Sequence, residues 1–124
     1  MRLLIDTQIL LWWDRQLRRL SRPLRAAIED EANDIFVSAA SIWEIAIKRA
    51  IGKLSFRRSI VDAVSEFGFE VLPVIGSHAE HAGGLPRHHN DPFDRLIIAQ
   101  ALAEGMSLVS ADALVTAYGV PRVW

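Results

Sequence analysis

"DPFDRLIIAQALAEGMSLVSAD", residues 91–112, is the stretch whose reading decides the fold. Asp91 followed by Pro92 has the pattern of a helix N-cap with proline at the first helical position. The run from 92 to 104 is apolar on nearly every side, so the helix it predicts should be buried. Gly105 stands where that helix should stop. "SLVS" (107–110) then forms a short, almost continuous apolar run, as in a strand covered on both faces. Asp112 follows at once. Helix, stop, strand and acid succeed each other within 22 residues.

The same grammar extends outward. "RLLI" (2–5), "DIFVS" (34–38) and "FEVLPV" (69–74) have the same strand-like character, and "RVW" (122–124) supplies a fifth run at the end. Helical patterns lie between them, at roughly 9–19, 23–32, 41–51 and 57–67, with shorter pieces near 77–82 and 112–117. Ser21 and Pro23 mark a cap and a first turn, and Gly52 and Gly68 stand at helix ends. The alternation predicts a mostly parallel α/β sandwich with four or five strands. Neither a repeat nor a linker interrupts it, so residues 1–124 read as one domain.

Composition excludes several classes. The absence of cysteine rules out a disulfide framework and a thiolate zinc site. Met1-Arg2 leads directly into "LLID" without the apolar core of a secretory leader, and no apolar run is long enough for a membrane helix. A soluble, cytoplasmic protein is the expectation. The formal charge is −1, so the chain is no polycation. Its arginines are nevertheless uneven: Arg15, Arg18, Arg19, Arg22 and Arg25 fall within "DRQLRRLSRPLR". Such a cluster suits a phosphate backbone, although a run like this is more often the solvated face of one or two helices.

A parallel sheet turns all its carboxyl ends toward one edge, where ligands of such folds bind. Asp6 follows "LLI", Glu44 falls in the first turn after "IFVSAAS", Asp94 lies in the first turn of the 92–104 helix, and Asp112 follows "LVSA". Each has a local explanation. Ser41 and Glu44 form a capping-box pattern, with Lys48 four residues on; Asp112 caps a short helix, and Asp6 opens a turn. Together they place four carboxylates at one edge. Two carboxylates about 4 Å apart repel by roughly 4 kcal/mol at an effective dielectric of 20, more than a helix-dipole contact of about 0.3–1 kcal/mol returns. A divalent cation resolves the conflict, and a hard oxygen donor set without thiols favours Mg²⁺ or Mn²⁺. Carboxylate-held cations of this kind hydrolyse phosphodiesters. Thr7 and Ser110 would orient carboxylates or water beside them, and Asp91 is a further acid, as ligand, cap or both.

The remaining polar and aromatic residues are less directive. His78 and His81 share a short helix expected to be exposed, while His88 and His89 precede Asp91, from where His89 could approach a metal or substrate. Trp12, Trp13 and Trp43 offer surfaces for base stacking, but helical spacing beside leucine and isoleucine also suits a core or an interface.

With these residues placed, the chain resembles the PIN-domain ribonucleases, specifically the VapC toxins of VapBC toxin–antitoxin pairs. "LLIDTQILLWW" resembles the family's opening strand and first acid, "SAASIWEIAIKRAIGKL" its second-acid helix, and "DPFDRLIIAQALAEGMSLVSAD" its third-acid helix and Ser-x-Asp ending. Gln8 departs from the histidine or asparagine commoner there. The resemblance implies a PIN-like three-layer α/β/α sandwich and an endoribonuclease dependent on Mg²⁺ or Mn²⁺. It also implies an RNA substrate, a homodimer and a cognate VapB-like antitoxin. Asp6, Glu44, Asp94 and Asp112 would be its catalytic, metal-binding acids, and Arg15, Arg18, Arg19 and Arg22 candidate RNA contacts. A non-toxin PIN nuclease of RNA processing and a non-catalytic interaction module are the alternatives. Aspartyl-phosphate chemistry fits poorly, because Gln8 occupies the place of the second acid that a haloacid-dehalogenase-like phosphatase needs.

Overall fold

A computed structural model describes residues 1–124. Five strands, β1 (Arg2–Ile5), β2 (Asp34–Ser38), β3 (Glu70–Leu72), β4 (Ser107–Val109) and β5 (Arg122–Val123), form one sheet. Its order is β3-β2-β1-β4-β5, and every pairing is parallel. The six α-helices are α1 (Thr7–Arg15), α2 (Arg22–Glu29), α3 (Ala39–Ala50), α4 (Ile60–Glu66), α5 (Gly76–Gly84) and α6 (Pro92–Glu104). Two 3-10 segments, Leu17–Arg19 and Ala113–Tyr118, complete the order.

Both faces of the sheet are covered, which explains why its strands lack polar alternation. Leu3 and Ile5 of β1 pack into one core with Ile9, Leu10, Leu24, Ile45 and Val64. Leu4, pointing the other way, joins Leu108 and the α6 residues Ile97, Ile98 and Ala101. Helices α1–α4 therefore cover one face, and α5 and α6 the other. Each fully buried aliphatic side chain contributes about 1.5–3 kcal/mol, and the central strand supplies three in a row.

Several helix boundaries move by a few residues from their expected places, each for a local reason. Ser59 Oγ accepts from the Asp62 N–H, so α4 begins at Ile60 rather than near 57. The helix expected over 9–19 stops at Arg15, and a 3-10 turn carries the chain on to Ser21, which caps α2. In α3 the cap is Ser38, whose Oγ accepts from the Ala40 N–H at 3.0 Å, not Ser41. Two alanines follow it, and they are strong helix formers. The helix thus starts early, and Glu44 falls in its second turn, not its first.

Register positions the functional edge. Ile5 lies beside Val37 on one side and Val109 on the other. Asp6, Ser38 and Ser110 therefore stand at one level at the carboxyl edge of the sheet. Strand order reverses at β1, with β2 and β3 to one side and β4 and β5 to the other; the crevice of an open parallel sheet lies at such a reversal.

Candidate active site

At that crevice a cleft of about 290 Å³ is lined by Asp6, Glu44, Asp94, Asp112, Asp91, Thr7, Ser110, Lys48 and His89, among others. All four acids named from sequence, with Asp91 and both hydroxyl residues, thus face a single cavity. Arg15, Arg18, Arg19 and Arg22 do not. The helix α1 leaves the cleft at Thr7 and rises about 1.5 Å per residue, which carries Arg15 about 12 Å away along its axis. Arg15 lies over the Phe56 ring and Arg19 over Trp12.

The backbone of Asp6 is tied to β4 by its N–H to the Val109 carbonyl (3.1 Å), and Oδ1 caps α1 by accepting from Ile9 (2.9 Å). Burial raises its pKa above the ordinary carboxylate value; the Ser110 hydroxyl and the Ile9 N–H oppose this, while the charges of Asp112 and Glu44 add to it. Asp94 is pushed up to about 6, first by burial and then by the charges of Asp91, Asp6 and Glu44. Asp91 performs the capping, accepting from the Phe93 and Asp94 N–H groups through Oδ1. Asp94 is therefore free of that task.

Glu44 is buried and doubly held. Thr7 Oγ1 donates to its Oε1 (2.7 Å) and shares a hydrogen bond with the Ser41 hydroxyl (2.9 Å); Lys48 Nζ donates to Oε2 (2.8 Å). The bond to Glu44 raises the Lys48 pKa, with smaller support from Asp91 and Asp94. Ser110 Oγ accepts from the Asp112 N–H (3.1 Å), shaping the turn after β4. Asp112 then caps the final 3-10 segment through Leu114 N–H and meets His89 Nε2 at 2.6 Å. The His89 contact is the main cause of a lowered Asp112 pKa.

The donor set suits a hard divalent cation by its chemistry: several carboxylates, no thiolate, and two carboxyls whose raised pKa values record unrelieved burial and repulsion. No three of these side chains converge tightly enough to form a ready-made coordination shell. Carboxylates that repel across a cleft have no reason to close until a cation draws them together.

The structure revises the histidines and adds residues. His78, expected on an exposed helix, is 2% exposed. Its Nδ1 accepts from the Ile75 N–H and its Nε2 meets Glu104 Oε1 at 2.8 Å, so it staples α5 to α6 away from the cleft. Trp43 is 62% exposed and packs edge-on against Phe93. Trp12 and Trp13 are partly buried against the first core. Arg95 went unremarked in the sequence, though an arginine in an otherwise apolar buried helix was a signal. It donates to the carbonyls of Ala82, Leu85 and Pro86 at 2.8–2.9 Å, and of His89 at 3.4 Å, clamping the loop that carries His89. Tyr118, the chain's one tyrosine, was also missed.

The PIN domain family profile matches residues 3–119. Ribonuclease VapC22 of Mycobacterium tuberculosis is 33% identical over 132 aligned positions, covering 98% of this chain and 97% of the relative. The chain belongs to the PIN-domain family, in its VapC branch. Among solved structures with this PIN fold, VapBC2 from Rickettsia felis, bound to a DNA fragment from its promoter, superposes with a TM-score of 0.70 at 16% identity. That match covers 99% of this chain and 98% of the other. VapBC-1 from nontypeable Haemophilus influenzae gives 0.64 at 19% identity, covering 99% and 97%. The five-stranded parallel sheet is thus the PIN arrangement. No helix here is long and apolar enough to cross a membrane.

Proposed function

We propose that this VapC-family chain is an endoribonuclease dependent on Mg²⁺ or Mn²⁺, acting in the cytoplasm as the toxin of a VapBC-type pair. The observation that carries this reading is the convergence of Asp6, Glu44, Asp94 and Asp112, from four separate segments, on one cleft at the β1/β4 reversal. Its relative in Mycobacterium tuberculosis is named a ribonuclease, and its structural neighbours include VapBC complexes. A VapB-like antitoxin and a second copy of the chain are the proposed partners, and residues 1–124 the single working domain.

Asp6 and Asp94 would hold the cation directly, with Glu44 and Asp112 completing the site and Asp91 within reach. A bound divalent cation would supply a lowered water pKa and neutralise charge gathering on the phosphoryl oxygens. Thr7, itself paired with the Ser41 hydroxyl, holds the Glu44 carboxylate in place, so its position is set before any ligand arrives. Lys48, paired with Glu44 yet 46% exposed, offers its ammonium to an RNA phosphate at the rim. Apolar Leu11, Ile97, Ile98 and Leu108 line the cleft beside the acids. The arginines of 15–22 would contact only RNA that extends beyond the cleft.

The test is cleavage of single-stranded and structured RNA by the purified protein with Mg²⁺, Mn²⁺ or chelator. Metal-dependent cleavage lost in both Asp6→Asn and Asp94→Asn is the expected outcome. Cleavage that survives chelator, or both variants, refutes the proposal. Binding of an antitoxin without any nuclease activity would favour the interaction-module alternative.

A further inference from the structure

His89 has a placement that capping and nuclease chemistry leave unexplained. Its side chain is only 10% exposed, lies in the wall of the acidic cleft, and bonds at both ring nitrogens. Nε2 lies 2.6 Å from Asp112 Oδ2, and Nδ1 lies 3.0 Å from the Tyr118 hydroxyl. That hydroxyl also accepts the backbone N–H of His89 at 2.7 Å, and the two rings stack with centroids 5.5 Å apart and planes 27° off parallel. Arg95 clamps the supporting loop through the carbonyl oxygens of Leu85, Pro86 and His89 and ties it to α5 through that of Ala82. Imidazole, phenol and loop form one rigid assembly pressed against one carboxylate.

The Asp112 carboxylate only accepts, so the hydrogen of a neutral imidazole stands on the Nε2 that faces it, and Nδ1 is left as an acceptor. Because the Tyr118 oxygen already accepts a backbone N–H, its own proton is free to be donated to Nδ1. A neutral imidazole that accepts at Nδ1 carries its hydrogen on Nε2, and that hydrogen points at Asp112. We infer that His89 is a positioning residue: held by Tyr118 as the Nε2–H tautomer, it donates to Asp112 and sets that carboxylate for the cation. The inference rests on Asp112 belonging to the nuclease site. His89 acts there through Asp112, without touching the cation or the RNA. Partners of this kind orient ligating groups, and their loss typically costs 10–100-fold in metal affinity or activity.

The tautomer can be read without metal or RNA, from ¹⁵N resonances of the imidazole at pH 8.5 in labelled protein, with His89→Gln supplying the assignment among four histidines. The Nε2–H form is expected; the Nδ1–H form, an imidazolium or a rapidly exchanging mixture overturns the inference. Mn²⁺ affinity, followed by thermal shift, should weaken about tenfold in His89→Ala. His89→Gln, whose amide nitrogen falls near the place of Nε2, should retain most of the affinity. Tyr118→Phe keeps the stacked ring and should lose a few-fold. RNA cleavage by His89→Ala should recover at high Mn²⁺. An unchanged His89→Ala, equal losses in Ala and Gln, or cleavage that high Mn²⁺ cannot restore would each refute the positioning role. Asp112→Asn separates the two layers. If it binds Mn²⁺ and cleaves RNA as the wild type does, the assignment of Asp112 to the nuclease site fails. If Asp112→Asn is defective while His89→Ala is normal, the inference alone fails.

Discussion

Replacing Asp94 with asparagine should make the metal-free protein more stable while removing its response to Mn²⁺. In the fold the Asp94 carboxyl is pushed from 3.8 to about 6. At 1.36 kcal/mol per pH unit this corresponds to about 3 kcal/mol of native-state penalty at pH 8. Asp94 is only partly buried, so solvent screening reduces that figure by about half. Losing a carboxylate from the first turn of α6 forfeits a further ~0.5 kcal/mol of helix-dipole interaction. A net gain of about 1 kcal/mol remains, and a chain of this size melts about 4 °C higher for each kcal/mol. The pH dependence has a definite sign. A carboxyl whose pKa is raised on folding favours the protonated native state, so its destabilisation sets in as pH rises from 3.8 through about 6. Melting curves of wild type and Asp94→Asn should therefore converge near pH 4 and separate by pH 7–8. Adding Mn²⁺ at a hundred times Kd stabilises a binding-competent protein by about 2.7 kcal/mol. The wild type should show this and the variant should lose most of it. A variant that melts lower than wild type at pH 8, combined with a wild type indifferent to Mn²⁺, would refute the reasoning and leave Asp94 a first-turn acid only.

Three other outcomes follow from the same contacts. Thr7→Val removes the buried hydroxyl that holds Glu44 and Ser41 and should destabilise by about 1–3 kcal/mol in denaturant titration; a change below 0.5 kcal/mol would show that water replaces it. Arg95→Met leaves several carbonyls without their donor and should cost about 3 kcal/mol or more, with faster hydrogen exchange in the 85–91 loop and the end of α5 than elsewhere; uniform exchange would disprove the clamp. Charge reversal at both Arg18 and Arg19 should weaken binding of long RNA and flatten its salt dependence, while leaving short oligonucleotides unaffected; unchanged binding of both confines the RNA path to the cleft.

Much of the architecture was written in the chain itself. "DIFVS" is the strand β2 residue for residue, because β-branched and aromatic side chains between an asparagine turn and a serine cap leave little choice. Asp91, Pro92 and Gly105 bound α6 as their local chemistry requires, the glycine at a φ of 65° that side chains disfavour. A parallel sheet then sends every strand end to one edge, so Asp6, Asp94 and Asp112 were legible as a group without coordinates. Glu44 was also legible, but its place in the helix was not: Ser38 and Ser41 are equally good caps in isolation, and the end of β2 selects Ser38. His78 looked like a surface residue until the packing of α5 on α6 buried it against Glu104.

Local pattern thus determined which segments are strands and helices and which acids stand at strand ends and helix mouths. Tertiary structure decided what those acids touch. Thr7 and Glu44 are 37 positions apart, His89 and Tyr118 29, and His89 and Asp112 23. Contacts at such separations depend on strand order, on the register that levels Ile5 with Val109, and on the loop that Arg95 clamps. Local periodicity specifies none of these, because it reports only which face of its own element a residue occupies.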